Sequence, residues 1–209
     1  MQTSDVFSFF GKGHYSKIAG KCVPSVDPQE SVNIEWVYDY IKSECARWAT
    51  EELRRMFQTL EEQTEEQKRI KEKKLRDFKL LQFDAVAFAG TFHYGSANRI
   101  DVRTNFIALD IDDLVSTEEA RRVQQLLIAD EEVETVLCFV SPKGHGVKWV
   151  VEIPEWCQGF DFSEQYLTLC RHIGRKTGLL ADLTCSNVNR LCFLPYDPEC
   201  FINTKYLSK

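Results

Sequence analysis

The sequence predicts an α+β fold, and three observations predict it. The stretches Phe106 to Ile111 and Thr135 to Val140 are apolar runs of strand length. Ser116 with Glu119, and Asp161 with Glu164, place capping residues three apart at the heads of helical patterns. Val147 to Ile153 and Arg190 to Leu194 add two more strand-like runs, so the order reads strand, helix, strand, strand, helix, strand. That βαββαβ order is the one found in ferredoxin-like and RNA-recognition-motif-like cores.

Ahead of this core, residues 1–82 read as an N-terminal strand and a charged helical lead-in. Val6, Phe7, Phe9 and Phe10 suit a short strand, and Gly11-Lys12-Gly13 a turn. From about Val32 to Lys79 the pattern is helical, with Ile34, Val37, Ile41, Cys45 and Trp48 three or four apart. Beyond Thr50 both charge signs are dense. Glu51 with Arg55, Glu65 with Arg69, and Glu72 with Arg76 stand four apart, acid first. This predicts a long exposed helix or helix pair, an appendage that reads chiefly as a solvated face. Its Lys71, Lys73, Lys74 and Arg76 are also in reach of phosphates. The core then occupies 83–209. Ala120, Val123, Leu126 and Leu127 are the expected inward face of a helix from Thr117 to Ala129. Tyr166, Leu169, Cys170 and Ile173 are that of the second helix, which Gly178 terminates.

Composition sets bounds. At 209 residues, 44% hydrophobic and 28% charged, the chain is ordinary for a globular protein with one substantial core. No apolar run nears the ~20 residues of a membrane span. The N-terminus, MQTSDVFSFF, carries no basic-then-apolar secretory pattern. The eight cysteines are scattered without a CxxC pair, which argues against zinc and predicts reduced thiols in a cytoplasmic protein. The net charge of -6 excludes a uniformly basic coat, so contact with nucleic acid requires a local patch. GxxxxGK followed by Ser or Thr does not occur, which argues against a P-loop ATPase in this chain.

The chemistry gathers at strand ends. In NFIALDIDD, residues 105–113, alternation puts Asp110 and Asp112 on one side and Ile111 on the other. Two carboxylates so placed repel unless a cation lies between them, and hard oxygen ligands suit Mg²⁺ or Mn²⁺. A strand ending in a polar turn has the same appearance, and DxD alone does not separate the two. The segment SPKGHGVK, residues 141–148, is the tip of a hairpin. Its glycines, Gly144 among them, let backbone N–H groups approach phosphate oxygens, and Lys143, Lys148 and a protonated His145 add charge. Taken alone, the segment reads first as an ordinary mobile hairpin. Asp182, after the second helix, could complete a three-carboxylate metal site, with Arg190 shortly beyond it.

Taken together, FIALDIDDL, VLCFVSPKGHGVKWVV and DLTCSNVNRLCFLPYDP resemble the N-terminal domain of virulence-associated E (VirE) proteins. That domain is similar to the archaeo-eukaryotic primase, or prim-pol, superfamily. The resemblance spans about Phe83 to Asn203, and residues 1–82 in outline. The superfamily's first motif, a DxD or DxE on a strand, matches Asp110 and Asp112. Its second, a Ser-glycine-basic segment, matches Ser141 to Lys148, and its third, an acid after the second helix, matches Asp182. Gly90-Thr91-Phe92 matches the segment preceding the first motif in the VirE group. Arg190-Leu-Cys-Phe-Leu-Pro and Asp197-Pro198 match the one that follows the third. Lys148 stands where primases of the superfamily usually carry His, and a lysine there still binds phosphate as a point charge.

The resemblance implies a primase-polymerase-like nucleotidyltransferase domain of a mobile-element replication protein. Asp110, Asp112 and Asp182 would be catalytic ligands of Mg²⁺ or Mn²⁺. Ser141, Lys143, Gly144, His145, Lys148 and Arg190 would meet the phosphates of a nucleoside triphosphate. Single-stranded DNA would be the nucleic-acid partner, and a helicase would be supplied by another chain. Two other readings use the same residues. A catalytically inactive nucleotide- or DNA-binding module is favoured by Lys148 and the acidic charge. A metal-dependent nuclease would use the same carboxylates, but no residue stands out as its general base.

Overall fold

The computed structural model describes residues 5–60, 63–94 and 100–208. The first alternation of aromatics forms β1 (Val6–Phe10), with Phe7, Phe9 and Phe10 buried. A ribbon of β2 (His14–Ser16) and β3 (Lys21–Val23) follows. Gly13, at its start, serves close packing: its N–H donates to Leu80 O at 2.7 Å, and a Cβ there would lie 2.2 Å from Val23 O. β4 (Glu30–Asn33) returns antiparallel along β1, with Phe7 opposite Val32.

The helical stretch expected from Val32 to Lys79 is three helices, and its first two residues belong to β4. Asn33 caps α1 (Ile34–Lys42), its side chain accepting from the Trp36 N–H at 2.9 Å. Ser43, in extended backbone, ends it. α2 (Arg47–Thr59) stops at extended Leu60, and a capping box of Thr64 and Gln67 opens α3 (Glu65–Gln82). The ion pairs also differ from the expected set. Arg47 bonds Glu44 and Glu51, Arg55 bonds Glu52, and Lys68 bonds Glu65. Such exposed pairs are screened by solvent and hold little. What holds the region is packing: Ala49 and Leu53 of α2 bury against Leu75 of α3 and Phe83. These helices are therefore part of the body of the protein, not an exposed appendage.

β5 (Ala85–Ala87) pairs with β1, Phe9 opposite Val86, so one sheet takes strands from both sides of residue 82. A second ribbon joins β6 (Gly90–Phe92) to β7 (Ile100–Arg103). Then β8 (Phe106–Ile111), α4 (Thr117–Ile128), β9 (Thr135–Val140), β10 (Val147–Glu152) and α5 (Phe162–Thr177) occur in the expected order. Ser116 Oγ accepts the Glu119 N–H at 3.1 Å, but the Glu119 carboxylate takes the Val115 N–H at 2.6 Å, one residue before the cap. Asp161 with Glu164 forms the complete box, and Gly178 ends α5 in left-handed backbone at φ 73°. On α4, Leu126 is exposed and Gln124 is buried in its stead, donating to Cys138 O at 2.8 Å. Positions 120, 123, 124 and 127 share one helical face, and 126 lies off it.

The second sheet runs β12 (Phe201–Ile202), β9, β10, β8, antiparallel throughout. The last strand departs from the expected arrangement. β11 (Cys192–Phe193) does not flank β8 but pairs with β5, giving the first sheet the order β11-β5-β1-β4. The loop after α5 meets β8 instead, where the Asp182 N–H donates to Asp110 O at 2.7 Å. Along β8, Ile107, Leu109 and Ile111 pack with Val123 of α4 and Leu169 of α5. Phe106 and Ala108 turn the other way, toward Phe7, Phe9 and Val86 of the first sheet. By the same alternation Asp110 faces the first sheet, as does Lys148 opposite it on β10.

Candidate functional site

The ladder register sets Lys148 directly across from Asp110, and its Nζ forms an ion pair with Asp110 Oδ2. Asp110 is 8% exposed, and its Oδ1 has no hydrogen-bond partner. Burial pushes the Lys148 ammonium down to about 8, and Lys79 and Arg190 add to the fall; an adjoining carboxylate acts in the opposite sense. Ser141, 2% exposed at the end of β9, likewise has an unpartnered Oγ. The tip beyond it is closed by its own backbone, Ser141 N–H to Gly146 O and Gly144 N–H to Ser141 O, both at 2.8 Å. The Gly144 N–H is therefore engaged within the turn. A Cβ on Gly146 would lie 2.6 Å from Ile111 O, 2.7 Å from Asp112 Oδ1 and 3.1 Å from Ser141 Oγ. Glycine lets the tip lie flat against the end of β8.

Beside the pair opens a cavity of about 560 Å³. Asp110, Asp112, Ser141, Lys143, Lys148 and Arg190 line it, and so do Arg76 and Lys79 of α3. Sequence reasoning missed Lys79, which belongs to no motif; its signal is the basic spacing on α3, with Arg69, Lys73 and Arg76 four and then three apart. Burial lowers the Lys79 ammonium, Lys143 lowers it further, and Asp112 opposes the change. Burial raises the Asp112 carboxyl above the ordinary range, against the pull of Lys143 and Lys79. Asp113, next in the chain, sits at φ 60°, left-handed backbone that turns the strand end sharply.

Asp182 arrives beside Asp110 from the loop after α5. Ligand atoms of Asp110, Asp182 and Cys185 lie within 4.8 Å of one another. Asp182 Oδ1 accepts from the Thr184 N–H at 2.8 Å and its hydroxyl at 2.7 Å, and Oδ2 from the Cys185 thiol at 3.2 Å. Arg190 Nη2 stands 4.0 Å away. Burial raises the Asp182 carboxyl, but these partners outweigh it and hold the group below the ordinary range. Asp112 is outside that close set; Lys143 and Lys79 are its neighbours of opposite charge, and Asp113 and Asp182 those of like charge. His145 turns away from the cavity: its Nδ1 is 2.9 Å from Leu114 O and its ring is 4.6 Å from that of Phe57. It straps the tip to the segment between β8 and α4.

These residues fit a divalent cation. Asp110 and Asp182, with carboxylate oxygens within 4.8 Å of each other, would hold such an ion between them. Asp110 Oδ1 is buried and unpaired. Burial pushes the Cys185 thiol up, which leaves it a donor to Asp182 and the available set one of hard oxygens.

The chain is α+β, and the family its sequence matches is related to VirE-like and prim-pol domains. The chain belongs to the family described as the BT4734-like N-terminal domain, whose model matches residues 79–201. No curated protein and no solved structure matches it. Among the described residues, no helix is long and apolar enough to cross a membrane.

Proposed function

We propose that the chain is a VirE-type, primase-polymerase-like domain of a mobile-element replication protein. Its cavity would take a nucleoside triphosphate with Mg²⁺ or Mn²⁺ for nucleotidyl transfer onto nucleic acid. One observation carries this reading. Two buried oxygens without partners, Asp110 Oδ1 and Ser141 Oγ, adjoin a cavity lined by Arg76, Lys79, Lys143, Lys148 and Arg190. That is a cation's ligand beside a polyanion's counter-charge.

Asp110 and Asp182 would hold the cation, with Asp112 next to them. Lys148, bound to Asp110 Oδ2, keeps the other oxygen free of the ammonium. Ser141 Oγ, Arg76 and Lys79 at the C-terminal end of α3, and Lys143 of the tip would orient and neutralise the phosphates. When bound, the metal supplies activation of the attacking hydroxyl and stabilisation of the departing pyrophosphate. A helicase on another chain is the partner this reading implies. The test is incorporation of labelled nucleotide on a single-stranded template with Mn²⁺ or Mg²⁺. Asp110→Asn is expected to abolish incorporation, and undiminished incorporation by that variant would remove the assigned site.

A second reading has its own observation. The Lys148 ammonium already neutralises Asp110, as a bound cation would. A module that binds triphosphate and nucleic acid without transfer follows from that, and it predicts binding with no incorporation under any metal.

A further inference from the structure

We propose that the outer face of α3 is a track for the backbone of single-stranded nucleic acid, leading into the cavity. This rests on the reading of the cavity given above, but it concerns a different surface. A groove of about 640 Å³ runs along α3 and is lined by Arg69, Lys73, Arg76, Lys79 and Lys143. Arg76, Lys79 and Lys143 also line the cavity, so the two adjoin across these three cations. The acids on the groove wall are Glu72 and Asp113, and Lys68 and Lys71 stand beside the other cations. In a chain of net charge -6 this is a strong local excess of positive charge. Phe57 stiffens the groove: the Lys71 and Lys143 ammonium groups lie 4.7 and 5.8 Å from its ring centroid.

The spacing suits a strand. Arg69 to Lys79 covers ~15 Å at ~1.5 Å per helical residue. Four cations along it, Arg69, Lys73, Arg76 and Lys79, offer ~4 phosphate contacts. A concave groove that empties into a cavity fits a threaded chain better than a flat anionic membrane. Residues 68–76 also lie before the segment that matches the family, 79–201.

The experiment measures binding of a fluorescent ~12-nucleotide oligothymidylate by anisotropy across a salt series, on the full chain. A fluorescent GTP analogue with Mn²⁺ is titrated in parallel. The wild type is expected to bind the oligonucleotide with a slope of log affinity on log salt of about −3, from ~4 contacts at ~0.7 each. R69E/K73E changes two exposed residues outside the cavity. It is expected to lose affinity on the order of tenfold or more and to flatten the slope by about 1.4. Its GTP-analogue binding and thermal midpoint are expected to match the wild type. Oligonucleotide binding by R69E/K73E with wild-type affinity and slope overturns the track. So does a wild type that binds phosphatidylserine vesicles but not the oligonucleotide. A wild type that binds the GTP analogue but no oligonucleotide overturns the track and leaves the cavity reading standing. Failure to bind either probe overturns both.

Discussion

Replacing Lys148 with Met tests how the buried pair is balanced. The Lys148 and Asp110 side chains are 14% and 11% exposed, and one Asp110 oxygen is already unpaired. Removing the ammonium leaves a buried carboxylate with no compensating charge, a change that costs ~3–5 kcal/mol. At ~2–4 °C per kcal/mol for a chain of this size, the midpoint should fall by about 6–20 °C. The Asp110→Asn/Lys148→Met double variant removes both charges and should recover to within ~1 kcal/mol of the wild type. A divalent cation should do part of the same work. At about a hundredfold its Kd, Mn²⁺ adds ~2.7 kcal/mol to whichever form binds it, so it should raise the midpoint of Lys148→Met more than that of the wild type. Thermal unfolding followed by circular dichroism, with and without Mn²⁺, reads all three. A Lys148→Met midpoint within ~1 kcal/mol of wild type, with no rescue by metal, would refute the idea that Asp110 is a carboxylate awaiting a cation.

Gly146→Ala should destabilise by ~1–3 kcal/mol, because its methyl would meet a backbone oxygen at 2.6 Å and the Asp112 carboxylate at 2.7 Å. It should also weaken GTP-analogue binding, whereas Gly159→Ala, with nothing within 4 Å, should change neither stability nor binding. Asp130 makes a pH prediction. Burial raises its carboxyl, but bonds from His172 and from the N–H groups of Glu132 and Val133 outweigh that and lower it from 3.8. A depressed carboxyl contributes stability above 3.8 that is lost as the pH falls through the folded-state value. Denaturant titrations from neutral to acid pH should therefore show a shallower acid loss in Asp130→Asn than in the wild type.

Much of the core was legible because its signals are local. The run from Phe106 to Ile111 fits a buried strand better than a helix, and alternation along such a strand puts Asp110 on the face opposite Leu109. Asp161 and Glu164 declare a helix start within four residues. The missing parts depend on distant partners. The mixed charges of α3 resemble a solvated surface until Leu75 and Phe83 turn one side inward and bring Lys79 to the cavity wall. His145 carries the right chemistry for phosphate, but its ring rests on Phe57, eighty-eight positions earlier, so the tip's turn geometry rather than its composition decides where it points. The run from Arg190 to Leu194 announces a strand but not its neighbour, and the loop at Asp182 meets the edge where a fourth strand was expected.

Because β1 lies between β4 and β5, the first sheet cannot be split at residue 82 without baring hydrogen-bonding edges on both fragments. A gene rearrangement that carried off only the stretch shared with the family would deliver a protein lacking its inner strand and one side of its ligand chamber. The folding unit is therefore larger than the stretch the family model matches.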